Sequence, residues 1–166
     1  LEALGKERMY FEAPDKSYGD PHHWGTLIHL LNEDYQDLVE KKEHNPDSAA
    51  RHLMARFDRA SEASGAETRL SSLDDATATA VAEKLEAEAR EHLQELVKNY
   101  PDTLEGKTLV IEFARGGKQG SSLPLDKPYG YRHSLSCLSK DLLQKGKVLY
   151  VWVTPEESRR KNEART

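Results

Sequence analysis

The sequence predicts an α/β protein in which helices flank a parallel sheet and a large helical insertion spans residues 21–100. Two near-continuous apolar runs, residues 108–114 and 148–153, have the composition of strands buried on both faces. A Gly- and Ser-rich loop and a short helical pattern near residues 139–145 lie between them, which is the order of a right-handed crossover unit. At 166 residues, the chain is expected to form a single domain.

The beginning of the chain predicts a short strand, a loop and a long helix. Residues 9–11 have strand composition, and the Pro- and Gly-rich loop that follows carries Asp15 and Tyr18, which makes it a candidate site. An amphipathic helix is predicted over residues 21–42. Its apolar residues recur at helical spacing: Trp24, Leu27, Ile28, Leu31, Tyr35 and Leu38.

Two further helices complete the predicted insertion. The second is expected to begin at Pro46, because proline is favoured in the first helical position, and to end near Gly65. The third is expected to open at a capping box formed by Ser72 and Asp75 and to end before Pro101. Its predicted buried stripe consists of Ala80, Val81, Leu85, Ala89, Leu93, Leu96 and Val97.

The most specific chemical pattern lies where the second apolar run leads into a last helix. Thr154 is a hydroxyl cap and Pro155 occupies the first helical position. Arginine suits phosphate because its planar guanidinium binds two oxygens and stays charged. Spacing alone leaves two interpretations open, a phosphate clamp or a solvated basic face paired with glutamates of the same helix. The basic residues concerned are Arg159, Arg160, Lys161 and Arg165.

This C-terminal run reads Leu-Tyr-Val-Trp-Val-Thr-Pro-Glu-Glu-Ser-Arg-Arg-Lys-Asn-Glu-Ala-Arg over residues 149–165. It is similar to the strand and lid helix of P-loop kinases of the nucleoside and uridine kinase kind. In that family the lid arginines contact the ATP phosphates. The resemblance therefore implies a catalytic role for Arg159 and Arg160, and a substrate-binding role for Arg165.

Two other segments resemble the same family. Val-Ile-Glu-Phe-Ala-Arg-Gly-Gly, residues 110–117, is similar to the family's strand that ends in an acidic residue followed closely by an arginine. This match implies that Glu112 lies on the magnesium side and that Arg115 binds substrate. The start of the chain resembles the family's first helix, second strand and acceptor loop. There, Asp15 would be the catalytic acceptor contact, with Tyr18 beside it in substrate binding.

The resemblance implies a kinase-like domain that transfers the terminal phosphoryl of ATP, with magnesium, to a small hydroxylated acceptor. The nearest match to a phosphate loop ends at Gly106-Lys107-Thr108, but Pro101 stands where the first glycine belongs and a predicted strand follows. We therefore expect that loop upstream of Leu1, and expect this piece alone to be inactive. The alternative is a non-catalytic interaction module in which the three long helices present a groove.

The composition of the chain limits the classes of partner and the cellular compartment that are expected. The net charge of -5 argues against a general nucleic-acid or membrane-surface binder, which usually carries a basic excess. The partners that the resemblance implies are a nucleotide and a small-molecule acceptor. The single cysteine, Cys137, forms no internal disulfide, and no apolar run approaches the length of a membrane span. Both features favour a cytoplasmic protein.

Overall fold

The computed structural model describes residues 5, 8–11, 18–112 and 121–164, and within these ranges the protein is helical. The only β interaction there is an isolated antiparallel bridge between Phe11 and Tyr18. The predicted α/β fold with a parallel sheet is therefore wrong, and with it the assignment to the P-loop kinases. The helices are α1 (His23–Glu40), α2 (Ala49–Ser64), α3 (Asp75–Lys98), α4 (Gly130–Ser136), α5 (Lys140–Lys145) and α6 (Pro155–Glu163).

The three long helices, α1 to α3, form what we call the helical body. Helix α2 packs against both α1 and α3. Alanines dominate the contact between α2 and α3, and their small side chains let the two backbones approach closely. Of the predicted stripe on α3, Ala89 and Leu93 are buried as expected, whereas Leu85 is 41% exposed. The core residues are Ala49, Ala50, Ala82, Ala89 and Leu93, with Leu53, Met54 and Leu96 packed against them.

Helices α2 and α3 begin later than the sequence indicated. Helix α2 is capped by Ser48, whose hydroxyl accepts a hydrogen bond from the Arg51 amide at 3.2 Å. Helix α3 is capped by Asp74, which accepts from the Thr77 amide at 2.9 Å, and Ser72 lies outside the helix. Several cap residues adjoin each start, and local sequence does not say which one the tertiary structure selects.

A glutamate of α3 caps the N-terminus of α2. The Glu86 carboxylate accepts hydrogen bonds from the amides of Ala49 (3.0 Å) and Ala50 (3.1 Å) and from the Ser48 hydroxyl (2.7 Å). The amide bond from Ala49, followed by those from Ser48 and Ala50, lowers the pKa of Glu86 to about 2. Glu86 therefore satisfies amides that the first turn of α2 would otherwise leave without partners.

Helices α1 and α2 are joined by a buried arginine and by a close approach at a glycine. Arg56 on α2 donates to Glu33 at 2.7 Å and to Asp34 at 2.6 Å, both on α1. Gly25 lies so close to α2 that a Cβ placed there would be 2.9 Å from the Cβ of Ser64. These contacts hold α1 against α2.

The two apolar runs that predicted the sheet do not pair in the described chain. Residues 107–112 and 146–154 contain neither strand nor helix. Helix α5 lies between the two runs as expected, whereas α4 begins inside the predicted loop. Helix α5 and its Ser139 cap match the predicted short helix. A run of β-branched and aromatic residues indicates a propensity to extend, but a strand also needs a neighbour for its N–H and C=O groups. The predicted crossover unit is therefore wrong.

Candidate protein-interaction surface

The most unusual surface of the molecule is formed by residues 148–153, which we call the C-terminal apolar segment. Monomeric soluble proteins rarely expose contiguous apolar patches of more than a few hundred Å². Here six consecutive large apolar residues face solvent, which is a feature expected of an interaction site. Their exposed fractions are 78% for Val148, 89% for Leu149, 62% for Tyr150, 75% for Val151, 69% for Trp152 and 40% for Val153.

The backbone of this segment is extended, and within the described ranges no backbone hydrogen bond involves residues 147–153. A ring contact connects it to the helices: the Tyr150 ring lies edge-on to Tyr131 of α4, with centroids 5.8 Å apart. An extended segment with free N–H and C=O groups is a template for strand pairing. The segment thus offers apolar side chains and backbone donors and acceptors at once.

Short helices hold both ends of the segment. On its N-terminal side, Asn32 of α1 donates to the Cys137 carbonyl (2.8 Å) and accepts from the Ser139 amide (2.9 Å), which attaches the start of α5 to the helical body. On its C-terminal side, the Glu157 amide donates to the Thr154 hydroxyl (3.2 Å), as the sequence predicted, and α6 begins at Pro155. The segment is therefore an extended connection between two capped helices.

Charges of opposite sign flank the segment. Lys145 and Lys147 precede it, whereas Glu156 and Glu157 follow in the first turn of α6. No charged residue lies within residues 148–153. Lys145 pairs with Asp141, and the two glutamates pair with Arg159, Arg160 and Lys161 of their own helix, so most of these flanking charges have partners within the chain.

A second, shorter apolar stretch, residues 109–112, lies in the first of the two apolar runs. Leu109 and Val110 are 54% and 83% exposed, and Ile111 is partly buried. Glu112 is exposed at its end. This stretch resembles the C-terminal apolar segment in exposure but presents fewer apolar side chains, and it contains no aromatic residue.

The residues predicted to bind phosphate and substrate are scattered or lie outside the described ranges. Asp15, Arg115 and Arg165 lie outside them. Tyr18 packs in an aromatic cluster, stacked on Phe11 at 4.7 Å and edge-on to Trp24 at 5.4 Å. Its burial there raises the pKa of the Tyr18 phenol. The substrate-binding role of Tyr18 and the magnesium role of Glu112 stay predictions.

The two described arginines of the proposed lid bind glutamates of their own helix. Arg159 lies 3.3 Å from Glu156, and Arg160 lies 2.7 Å from Glu157, each three residues earlier. The hydrogen bond from Arg160 lowers the pKa of Glu157, and that bond in turn raises the pKa of Arg160. Both arginines are well exposed, so these pairs lie on a solvated surface. Their catalytic role stays a prediction that the arrangement does not support.

A buried histidine is the polar feature that the sequence pattern missed. His22 and His23 lie at the start of α1, where His23 is only 1% exposed and its Nε2 has no hydrogen-bond partner among the described residues. Burial lowers the pKa of His23 and so favours the neutral imidazole. The Tyr10 and Phe57 rings pack on it at 5.0 and 6.1 Å. Enclosed in this way, His23 does not reach a substrate from solvent.

The pair formed by His133 and Cys137 does not have the features of an activated thiol. The Cys137 sulfur lies 3.8 Å from His133 Nε2, while the buried His133 Nδ1 has, among the described residues, no hydrogen-bond partner that would orient the ring. Burial lowers the pKa of His133, which favours the neutral imidazole over the cation that stabilises a thiolate. A structural contact between α4 and its C-terminal cap explains this geometry.

We also searched the described residues for a cleft, a metal site and a membrane-spanning helix. A cleft of about 540 Å³ lies beside α2, between Arg51 and Arg59 on the helix and Leu70 and Leu73 on the loop before α3. Across the described ranges, no group of three or more His, Cys, Asp or Glu side chains is arranged to hold a metal ion. No helix in this part of the chain is both long and apolar enough to cross a bilayer.

Comparison with known proteins adds no relative: no family model, curated protein or solved structure matches the chain. The function of the chain is therefore inferred from its geometry alone.

Proposed function

We propose that this chain is a non-catalytic helical interaction module that binds a protein partner through its C-terminal apolar segment. The observation that carries the proposal is the exposure of residues 148–153, from 40% to 89%, in an extended conformation. A partner strand added beside this segment satisfies its backbone groups and covers its side chains, which is the mode known as β-strand addition.

The helical body supports this proposal because it is stabilised by its own contacts. The Arg56 ion pairs, the Glu86 cap and the alanine-rich core lie within α1 to α3 and their connections, and none involves residues 148–153. A partner can therefore bind the segment without unfolding the helices. The net charge of -5 favours a protein partner over nucleic acid.

The proposal is tested by identifying partners and measuring their affinity for matched variants. Cross-linked partners of the full chain are identified by mass spectrometry, purified and titrated calorimetrically against wild type, Val151→Lys and Arg159→Ala/Arg160→Ala. We expect Val151→Lys to weaken binding at least tenfold, because it places a charge in an apolar interface, and the double arginine variant to bind as wild type does.

Two results would argue against an interaction module of this kind. In the first, a confirmed partner binds Val151→Lys as tightly as wild type. In the second, Mg-ATP raises the melting temperature of the wild-type chain but not of the Arg159→Ala/Arg160→Ala variant, which would indicate a nucleotide site that depends on those arginines.

A further inference from the structure

We propose that His23 is a pH-sensitive switch: its neutral ring holds residues 10, 11, 18 and 19 against the helical body, and its protonation releases them. We call these four residues the N-terminal bridge. Phe11 pairs with Tyr18 in it, and the Gly19 amide donates a hydrogen bond to the Tyr10 carbonyl at 3.0 Å. The switch does not involve the C-terminal apolar segment and goes beyond the proposed function.

His23 lies at the centre of the ring contacts that hold the bridge. The Tyr10 ring lies edge-on to His23 with centroids 5.0 Å apart, and the Tyr18 ring lies 5.5 Å away. Phe57 of α2 lies 6.1 Å from His23 and 4.9 Å from Tyr10. Because the bridge packs on a histidine as well as on apolar rings, its attachment depends on the protonation state of that histidine.

The surroundings of His23 suit a neutral ring and not a charged one. Its Nδ1 lies 3.4 Å from the Thr26 hydroxyl, which is also 3.0 Å from the Ser64 hydroxyl. Its buried Nε2 has no hydrogen-bond partner among the described residues. The imidazolium form carries an N–H on both nitrogens. Protonation in the packed state therefore buries a charge together with a donor that lacks an acceptor, which is costly.

The carboxylates of this region are already bound to other groups. Asp20 accepts hydrogen bonds from the amide of His22 at 2.9 Å and from its ring Nδ1 at 2.8 Å. Asp58 accepts from two amides of the loop before α3, at 3.1 and 2.5 Å. The charged and titratable groups of the described residues that act on His23 or on its ring neighbours are Tyr10, Tyr18, Asp20, His22, Asp58 and Arg69.

The direction of the switch follows from the two states of the ring. Burial is the main cause that lowers the pKa of His23 while the bridge is attached, Arg69 and His22 lower it further, and Asp20 opposes them. Once the bridge has left, the ring meets water and titrates near its ordinary pKa of about 6.5. The attached state is therefore favoured above that pH. Each pH unit below it favours release by up to about tenfold, the limit for one proton.

Release of the bridge is local because the helical body does not depend on it. Two further contacts attach this region: Tyr18 lies edge-on to Trp24 at 5.4 Å, and the Arg69 side chain donates to the Met9 carbonyl. The alanine-rich core and the Glu86 cap lie elsewhere in the helical body. A β pair this small does not persist without packing, so the Gly19 amide becomes open to exchange when the bridge leaves.

Hydrogen exchange of the Gly19 amide, measured by NMR on the full chain, tests the switch. Between pH 7.5 and pH 5 we expect its protection factor to fall by up to about tenfold per pH unit below 6.5, while the amides of α3 keep their protection. His23→Phe keeps a ring at this position and removes its titration, so the fall should disappear. His22→Gln is the matched control: it removes the neighbouring histidine, whose side chain is 41% exposed, and should leave the fall unchanged.

Several results would overturn the switch. Gly19 protection that does not change with pH shows that no proton is coupled to the bridge, and a fall shared equally by α3 shows global unfolding instead. A fall that persists in His23→Phe, or that disappears in His22→Gln, assigns the proton to another group. The His23 ring resonances of wild type give a readout without substitution: a ring that titrates at pH 6.5 or above while Gly19 stays protected contradicts the proposal. Circular dichroism confirms that each variant retains its helices.

Discussion

Arg56 in the helical body is 5% exposed, whereas Trp152 in the C-terminal apolar segment is 69% exposed. This inverts the usual order, in which arginine is among the residues least often buried and tryptophan is mostly buried. The difference lies in the partners available. Arg56 meets two carboxylates and a carbonyl, which replace water around its guanidinium. Trp152 has no comparable neighbour in the described chain and faces solvent.

The comparison is tested most strongly by the same substitution in each region. Leu93→Ala opens a cavity in the core of the helical body, where Leu93 is 5% exposed, and is expected to lower the free energy of unfolding by about 3 kcal/mol. Leu149→Ala removes a side chain that is 89% exposed. It should change the free energy of unfolding of the monomer by less than about 0.5 kcal/mol. Urea denaturation measures both, and similar losses would show that the segment belongs to the folded core.

Arginines provide the second contrast. Arg56→Met keeps most of the side-chain volume but leaves Glu33 and Asp34 without their partner and the Leu30 carbonyl without its donor. We expect a loss of about 2 kcal/mol, below the value for a fully buried pair because these carboxylates are 38% and 47% exposed. The matched variant Arg159→Met removes a surface pair and should leave the melting temperature unchanged. A larger effect at Arg159 would contradict the contrast.

A smaller effect is expected where α1 and α2 approach most closely. Gly25→Ala places a methyl group 2.9 Å from the Ser64 Cβ, which costs stability, but alanine also favours the helix over glycine. The net loss should be about 1 kcal/mol. A double-mutant cycle with Ser64→Gly, which removes the Cβ, measures the coupling between the two positions. Absence of coupling would mean that the helices separate there at no cost.

The smallest predicted effect is the change in stability with pH that each ionisable side chain causes. Burial lowers the pKa of His23, His29, His52 and His133 in the folded protein. The unfolded chain therefore binds more protons as the pH falls below 6.5, and stability should decrease with it. At lower pH a second loss follows as Glu86 is protonated: its contribution is present above 4.5 and is lost towards about 2.

Melting temperatures between pH 8 and pH 5 measure the histidine effect. His52→Gln should reduce the slope, whereas Val151→Lys, with no histidine in the segment, should reproduce the wild-type slope in the monomer. A melting temperature that rises on acidification would contradict the assignment of neutral, buried histidines.

The helices were predictable because their signals are local. The spacing of Trp24, Ile28 and Leu31 marks α1, and the sequence Thr154-Pro155 marks the start of α6. Partners distant in the sequence were not predictable. The sequence around Arg56 does not indicate that this arginine forms ion pairs with Glu33 and Asp34 of α1. Likewise, the sequence around residues 148–153 does not indicate whether a neighbouring strand exists.

The candidate site shows the same difference between local signals and distant partners. The apolar pattern of residues 148–153 predicted a strand inside a sheet, whereas the structure leaves these residues exposed. A strand buried on both faces and a strand that awaits a partner have the same composition. The kinase interpretation depended on that sheet and is wrong without it.

Hydrogen exchange on the full chain tests the central claim, that the helical body is stable by itself while the C-terminal apolar segment has no strand partner among the described residues. Amides are followed at a concentration where sedimentation shows a monomer. We predict strong protection in α1, α2 and α3 and near-intrinsic exchange over residues 148–153. Protection of residues 148–153 equal to that of α3 in the monomer would contradict the account.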